Sequence, residues 1–351
     1  MGSCRGWIIV RLTNDHLPFA VCSRNVHILW VLSLVMSSGP SAERQVNTSG
    51  SEPSTITSDA ERDGDEGAGR SPGDGPRSLT GGAAGGAEAG VGAEAGVTVL
   101  DRTELAVSDL SIGFGSATVL SGVDVSFQPN TINALIGPTG CGKSTLLRSI
   151  NRMNDKVHGY WRKGRIEFDD VDVADPSVDL LVLRRRVGMV FQRPNPFPMS
   201  IRDNVVAGVK AHRMAPKSQL GEVAECFLKE VGLWSAVAYR LGDSPFRLSG
   251  GQQQLLCLAR ALAVEPDVLL LDEPTSSLDP ITTEMVEDLL RRLAPSLTMV
   301  VVTHNLAQAR RISGTTTFLY NGRLVETGET AQVFDAPVEP ETVSYVSGRI
   351  G

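Results

Sequence analysis

Gly137-Pro138-Thr139-Gly140-Cys141-Gly142-Lys143-Ser144-Thr145 carries the spacing G-x-x-x-x-G-K-[ST]. Glycines at both ends let the backbone turn tightly, so that successive N–H groups face a polyphosphate. The helix predicted to open at Lys143 turns the positive end of its dipole to the same point. A bland reading also fits, a glycine-rich turn ahead of an ordinary helix. Taken alone, the stretch implies a nucleoside triphosphate site and says nothing of what the nucleotide drives.

Three further pieces stand where phosphate hydrolysis needs them. Val268 to Leu271 is an apolar run of buried-strand type that ends in Asp272-Glu273. An acidic pair at a strand's carboxyl end sits at the mouth of a parallel sheet, beside the phosphate loop. There Asp272 would hold Mg²⁺ through water and Glu273 would polarise the attacking water. Thr298 to Thr303 is a second such strand, ending in His304, whose imidazole would reach a γ-phosphate. Val187 to Phe191 is a third, ending in Gln192. A neutral amide there would touch Mg²⁺ and the lytic water without adding charge.

Leu248-Ser249-Gly250-Gly251-Gln252 lies about a hundred residues after the phosphate loop. Ser249-x-x-Gln252 has the form of a capping box, with Ser as N-cap and Gln at the third helical position. A helix over about 252–263 would then open with free N–H groups and a positive dipole end, which is an anion site. The chain therefore carries two phosphate-binding helix starts.

The order phosphate loop, Gln192, Ser-Gly-Gly-Gln, Asp272-Glu273, Ser277-Leu278-Asp279, His304 resembles the ATP-binding subunit of ABC transporters over about residues 103–351. That resemblance implies an α/β fold of phosphate-loop NTPase type. It has a mainly parallel core sheet, an antiparallel β subdomain and a helical subdomain at about 200–248. It implies ATP and Mg²⁺ as cofactors. Lys143 would contact the β- and γ-phosphates, Ser144 the Mg²⁺, and Thr145 the α-phosphate. Ser249 and Gly251, with Gly250 and Gln252 beside them, would meet the γ-phosphate of a partner subunit's ATP. Asp279 would lie at the interface of a head-to-tail homodimer. Phe114 stands where the family places an aromatic to stack on adenine, and stacking needs only a ring face.

A narrower resemblance points to the phosphate-importer group. It rests on Met189 to Ile201 (MVFQRPNPFPMSI), Leu147 to Asn154 (LRSINRMN), Gln252-Gln253-Gln254 and Tyr345 to Arg349 (YVSGR). It implies ATP hydrolysis coupled to uptake of inorganic phosphate, at the cytoplasmic face of the membrane. The partners would be two permease subunits and, through them, an extracytoplasmic phosphate-binding protein. No residue of this chain would touch phosphate as cargo. An importer ATPase for another solute, or a soluble ABC ATPase outside transport, are the alternatives. The sequence departs from the group at Leu255, where the family carries Arg.

The rest of the chain agrees with this core. A net charge of −7 gives no support for nucleic-acid binding. Arg184-Arg185-Arg186 closes an apolar-periodic stretch, where cations suit a helix C-terminus. The five scattered cysteines predict thiols without disulfides or a metal cluster. Residues from about 103 to 130, joined by Arg165 to Phe168, read as antiparallel strands. Thr316 to Tyr320, Asn321-Gly322 and Arg323 to Glu326 read as a hairpin with a type I′ turn.

Residues 1–102 are read as a disordered extension or one assigned from too early a start. Asn47 to Gly96 is rich in Gly, Ala, Ser, Asp and Glu and cannot offset its ordering entropy. Ile28 to Met36 is apolar but too short to span a bilayer, and it imitates a signal peptide. A start set too far upstream, a disordered extension, and a targeting or anchoring segment remain the three readings.

Overall fold

The computed structural model describes residues 104–350, so the expectations for residues 1–102 lie outside the described residues. The chain opens with β1 (Leu105–Phe114), β2 (Ala117–Phe127) and β3 (Ile132–Ile136). Helix α1 (Lys143–Ile150), β4 (Tyr160–Phe168), β5 (Val171–Asp172), α2 (Leu180–Arg186) and β6 (Val187–Val190) follow. Three helices come next, α3 (Ile201–Ala211), α4 (Leu220–Glu230) and α5 (Trp234–Val237), then α6 (Gly250–Leu262). The chain continues through β7 (Val268–Asp272), α7 (Pro280–Leu293), β8 (Thr298–Val302) and α8 (Leu306–Ile312). It ends with β9 (Thr315–Tyr320), β10 (Arg323–Glu329), α9 (Thr330–Asp335) and α10 (Pro340–Val346).

Two sheets form. β2-β1-β4-β5 is antiparallel throughout, and β10-β9-β3-β8-β7-β6 is parallel except where β10 returns along β9. The parallel strands need cover on both faces, which is why they read as unbroken apolar runs rather than as alternation. Every residue of β3, β7 and β8 is buried. Burying each Leu or Val side chain contributes about 1.5–3 kcal/mol, so the three short strands anchor the domain. One apolar cluster joins α1 to the antiparallel sheet through Leu146, Leu147, Leu120 and Ile166. Another joins α3, α4, α6 and α7 through Val205, Phe227, Leu256 and Leu289. Between Val190 and Val268 the described residues hold only helices and turns.

Local chemistry accounts for the element ends. Asn321 and Gly322 both have positive φ, 48° and 76°, as a type I′ hairpin turn requires. Arg184, Arg185 and Arg186 close the last turn of α2, and Asp179 caps its start by accepting from the Leu181 and Val182 amides. The helix read at about 252–263 starts earlier, at Gly250, because Ser249 is its cap. Tyr160 to Gly164 lengthens the third antiparallel strand beyond its predicted core, pairing back to Phe114. The expectation of free thiols holds at Cys141 and Cys257, both buried. Among the described residues no helix is long and apolar enough to cross a membrane.

Candidate functional site

The strand order β3-β8-β7-β6 decides the site. Each strand delivers one predicted piece at its carboxyl end: the phosphate loop, His304, Asp272-Glu273 and Gln192. They therefore meet along one edge of the sheet although they lie far apart in the chain. A cleft of about 480 Å³ opens there, lined by Thr139, Gly140, Gly142, Lys143, Ser144, Thr145, Gln192, Glu273 and His304, with Val119 from β2.

The loop holds itself open for an anion. Gly142 is the N-cap of α1 at φ 106°, and no side chain caps that helix, so its first N–H groups face the cleft unclaimed. Gly137 has φ 145°, and a Cβ there would collide with the Leu319 carbonyl. The Lys143 ammonium donates to the Gly137 and Pro138 carbonyls, each at 2.8 Å, and lies 3.7 Å from the Cys141 sulfur. The buried cation thus rests on the loop it serves, within reach of the phosphates the loop would cradle.

Asp272 is 1% exposed and its carboxylate is bound from two sides. The Ser144 hydroxyl donates to one oxygen at 2.7 Å, and Arg148 donates to the other at 2.8 Å. Arg148 was missed in the sequence, although its i,i+4 spacing from Ser144 puts both on one face of α1. Ser144 and Asp272 present adjacent oxygen donors, with the Gln192 amide across the cleft. Hard oxygen ligands of this kind, few in number, fit Mg²⁺ held jointly with phosphate oxygens.

Glu273 follows at φ 46°, a left-handed conformation that costs a non-glycine residue roughly 1–2 kcal/mol. Its N–H donates to the Val302 carbonyl at 2.9 Å, which locks the turn against β8. The strain turns the side chain over the cleft, where its two oxygens have different partners. The Gln192 amide donates to one at 2.7 Å, and His304 Nδ1 lies 3.2 Å from the other. A carboxylate held between an amide and an imidazole at the cleft mouth has the placement of a group that orients water.

The remaining predicted residues lie elsewhere. Ser249 caps α6, accepting from the Gln252 amide at 3.3 Å while the Gln252 side chain accepts from the Ser249 N–H at 3.2 Å. None of Ser249, Gly250, Gly251 and Gln252 lines the phosphate cleft of its own chain. Asp279 caps α7, accepting from the Thr282 N–H at 3.0 Å and the Thr282 hydroxyl at 2.6 Å. Those two bonds hold its carboxyl below the usual carboxylate range. Phe114 packs at 5.7 Å against Tyr160 at the end of β1 and does not line the phosphate cleft. Leu255 is buried in the helical core, among the apolar side chains of α3 and α4.

Comparison with known proteins extends this geometry to most of the described chain. Residues 120–276 match the family model of the ABC transporter. A phosphate import ATP-binding protein PstB of Mycobacterium intracellulare is 61% identical over 237 residues, 68% of this chain and 83% of that protein. The chain belongs to the ABC transporter ATP-binding family. Phosphate import ATP-binding protein PstB 2 of Mycobacterium tuberculosis is a further member, 54% identical over 263 residues, 74% of this chain and 95% of that protein. Among solved structures, a bacterial Atm1-family ABC exporter with ATP bound aligns with a TM-score of 0.61 at 26% identity. The alignment covers 72% of this chain and 43% of the exporter chain, so this chain spans under half that exporter's length. The family has the phosphate-loop α/β fold with its antiparallel and helical parts, and the chain is an ATP-hydrolysing enzyme of that family.

Proposed function

We propose that the chain hydrolyses ATP with Mg²⁺ to power uptake of inorganic phosphate through a membrane complex. It acts at the cytoplasmic face, peripherally, as a homodimer on two permease subunits that receive phosphate from an extracytoplasmic binding protein. The observation that carries this reading is 61% identity, over most of its length, to a phosphate import ATP-binding protein. The run Met189 to Ile201, one of the stretches behind the narrower resemblance, lies within the matched residues 120–276.

The residues divide the work. The loop Gly137 to Thr145 binds the phosphates through its N–H groups and Lys143, with Thr145 at the α-phosphate. Ser144, Asp272 and Gln192 hold Mg²⁺, which neutralises charge on the β- and γ-oxygens when bound. Glu273 polarises water for in-line attack, and His304 and Gln192 fix that carboxylate while contacting the γ-phosphate. Phe114 gives adenine a ring face. Ser249, Gly250, Gly251 and Gln252 offer an open helix start to the nucleotide of the second subunit, and Asp279 lies at that interface. Most of the catalytic effect is positioning and electrostatics, as phosphoryl transfer requires.

The test is uptake of labelled phosphate by cells carrying the chain with its two permeases. Uptake is expected to depend on ATP and to vanish with Lys143→Ala. Uptake that ignores phosphate and follows another solute would assign a different cargo.

A further inference from the structure

Glu273 and His304 approach each other from two different loops. The first runs from the end of β7 through Thr275 to Asp279, and the second is Thr303-His304-Asn305 after β8. A buried side chain from the first turn of α8 joins them. Gln308 is 2% exposed, its Oε1 accepts from the Thr303 hydroxyl at 2.9 Å, and its Nε2 donates to Thr275 Oγ1 at 2.7 Å. Nε2 also donates to Glu287 Oε1 at 3.1 Å.

The chemistry allows the amide one orientation. A carboxylate only accepts, so the NH₂ must face Glu287 and the carbonyl oxygen must face Thr303. The Thr303 oxygen in turn accepts the Asn305 N–H at 3.0 Å, which commits its hydrogen to Gln308. Arg311 closes the far side of the buried Glu287 with bonds of 2.7 and 3.2 Å. Both amide hydrogens are used and each hydroxyl has a fixed role. A buried network satisfied in this way is rigid.

We propose that Gln308 is a positioning residue for hydrolysis. Its amide clamps Thr275 to Thr303 and so sets the approach of Glu273 and His304 to one water and one γ-phosphate. The clamp rests on the ATPase reading above and adds to it a residue that touches neither nucleotide nor water.

The test compares three variants of the full chain, reading kcat, ATP affinity and melting temperature. Gln308→Glu places a second carboxylate against Glu287, and Gln308→Leu keeps the volume but removes every bond. Both are expected to lower kcat at least about tenfold, as small misplacements of reacting groups do, while ATP affinity stays within about twofold. The double variant Gln308→Glu with Glu287→Gln exchanges amide and carboxylate. It returns the original net charge and one amide–carboxylate bond between positions 308 and 287, at the cost of one of the two Arg311 bonds to position 287, so kcat should rise at least about threefold above that of Gln308→Glu alone. Parent-like kcat in both single variants would overturn the clamp. So would a fall of kcat, affinity and melting temperature together with no recovery in the exchange, which marks a purely structural contact. Glu273→Gln run alongside separates the two readings. Full turnover in that control removes the ATPase site itself, and with it any reaction for Gln308 to position.

Discussion

The Gln192 amide nitrogen lies 2.7 Å from a carboxylate oxygen of Glu273, across the mouth of the phosphate cleft. Gln192 lies just beyond β6 and Glu273 follows β7, two neighbouring parallel strands. The segment after Gln192 leads directly into α3, so this one bond connects the Glu273 carboxylate to the helical part of the chain. Gln254 on α6 adds a second tie, donating to the Phe191 carbonyl at 3.0 Å. A shift of the Glu273 carboxylate is therefore one hydrogen bond away from the helices.

Glu273→Gln retains shape and hydrogen bonding but removes the carboxylate charge. ATP binding is expected to persist while turnover falls by about two orders of magnitude or more. A closed, ATP-bound dimer should accumulate and be visible by size-exclusion chromatography. Near-normal ATPase activity would take Glu273 out of the chemistry.

Ser249 caps α6 away from the phosphate cleft of its own chain, which makes the composite site testable by mixing. Ser249→Arg should block dimer closure while ATP still binds through Lys143. Lys143→Ala should weaken ATP binding directly. Each pure variant is expected to be inactive, and a mixture should regain activity because a mixed dimer has one intact site. A mixture as inactive as its parts would argue against a shared site.

Pro194, Pro196 and Pro198 hold the segment after Gln192 in an extended path. Asn204 binds the Phe197 backbone on both sides, accepting its N–H at 2.7 Å and donating to its carbonyl at 3.1 Å. Arg260 lies over the Phe197 ring at 4.1 Å. With the backbone pinned, Phe197 and Met199 remain 41% and 40% exposed. Phe197→Ala with Met199→Ala should leave the ATPase activity of the isolated chain within about threefold, since neither touches the cleft, yet reduce phosphate uptake by the assembled transporter by at least about tenfold. Equal losses in both assays would mean that the pair serves the helical core rather than a permease contact.

Glu326 on β10 ties down the start of α10. Burial pushes its pKa up, but the Val338 N–H, the Glu339 N–H and the Gln332 amide bond to it and hold it below the usual glutamate value. The ionised form is thus favoured by folding. Its stabilisation is complete above the unfolded pKa, about 4.3, and is lost as pH falls through the lower folded value. Helix α10 carries Tyr345, whose ring stacks on Phe318 at 4.7 Å. Glu326→Gln is expected to lower the melting temperature at pH 7 and to flatten its decline between pH 5 and pH 3. An unchanged melting curve at both pH values would show that the carboxylate contributes nothing.

The chemistry-bearing positions were legible in the sequence because each sits at a local discontinuity. Glycines break a strand into the loop at Gly137 to Gly142, unbroken apolar runs stop at Gln192, Asp272 and His304, and a capping box precedes α6. These are short-range signals, set by backbone sterics and by the need of a parallel strand to be buried on both faces. Arg148 and Gln308 left no such trace. Arg148 reads as an ordinary helical cation until β7 places Asp272 beside it. Gln308 reads as a polar residue on a short helix until Thr275, Thr303 and Glu287 converge on its amide from three other elements. The sequence alone therefore marked the candidate residues for phosphate chemistry and the strands that carry them. The order β3-β8-β7-β6, the contact of Gln192 and His304 with Glu273, and the separation of Ser249 from its own cleft were decided only by tertiary packing. Side-chain partners supplied by different elements, 81 residues apart for Gln192 and Glu273, have no pattern along the chain, and burial alone selects which of them must be paired.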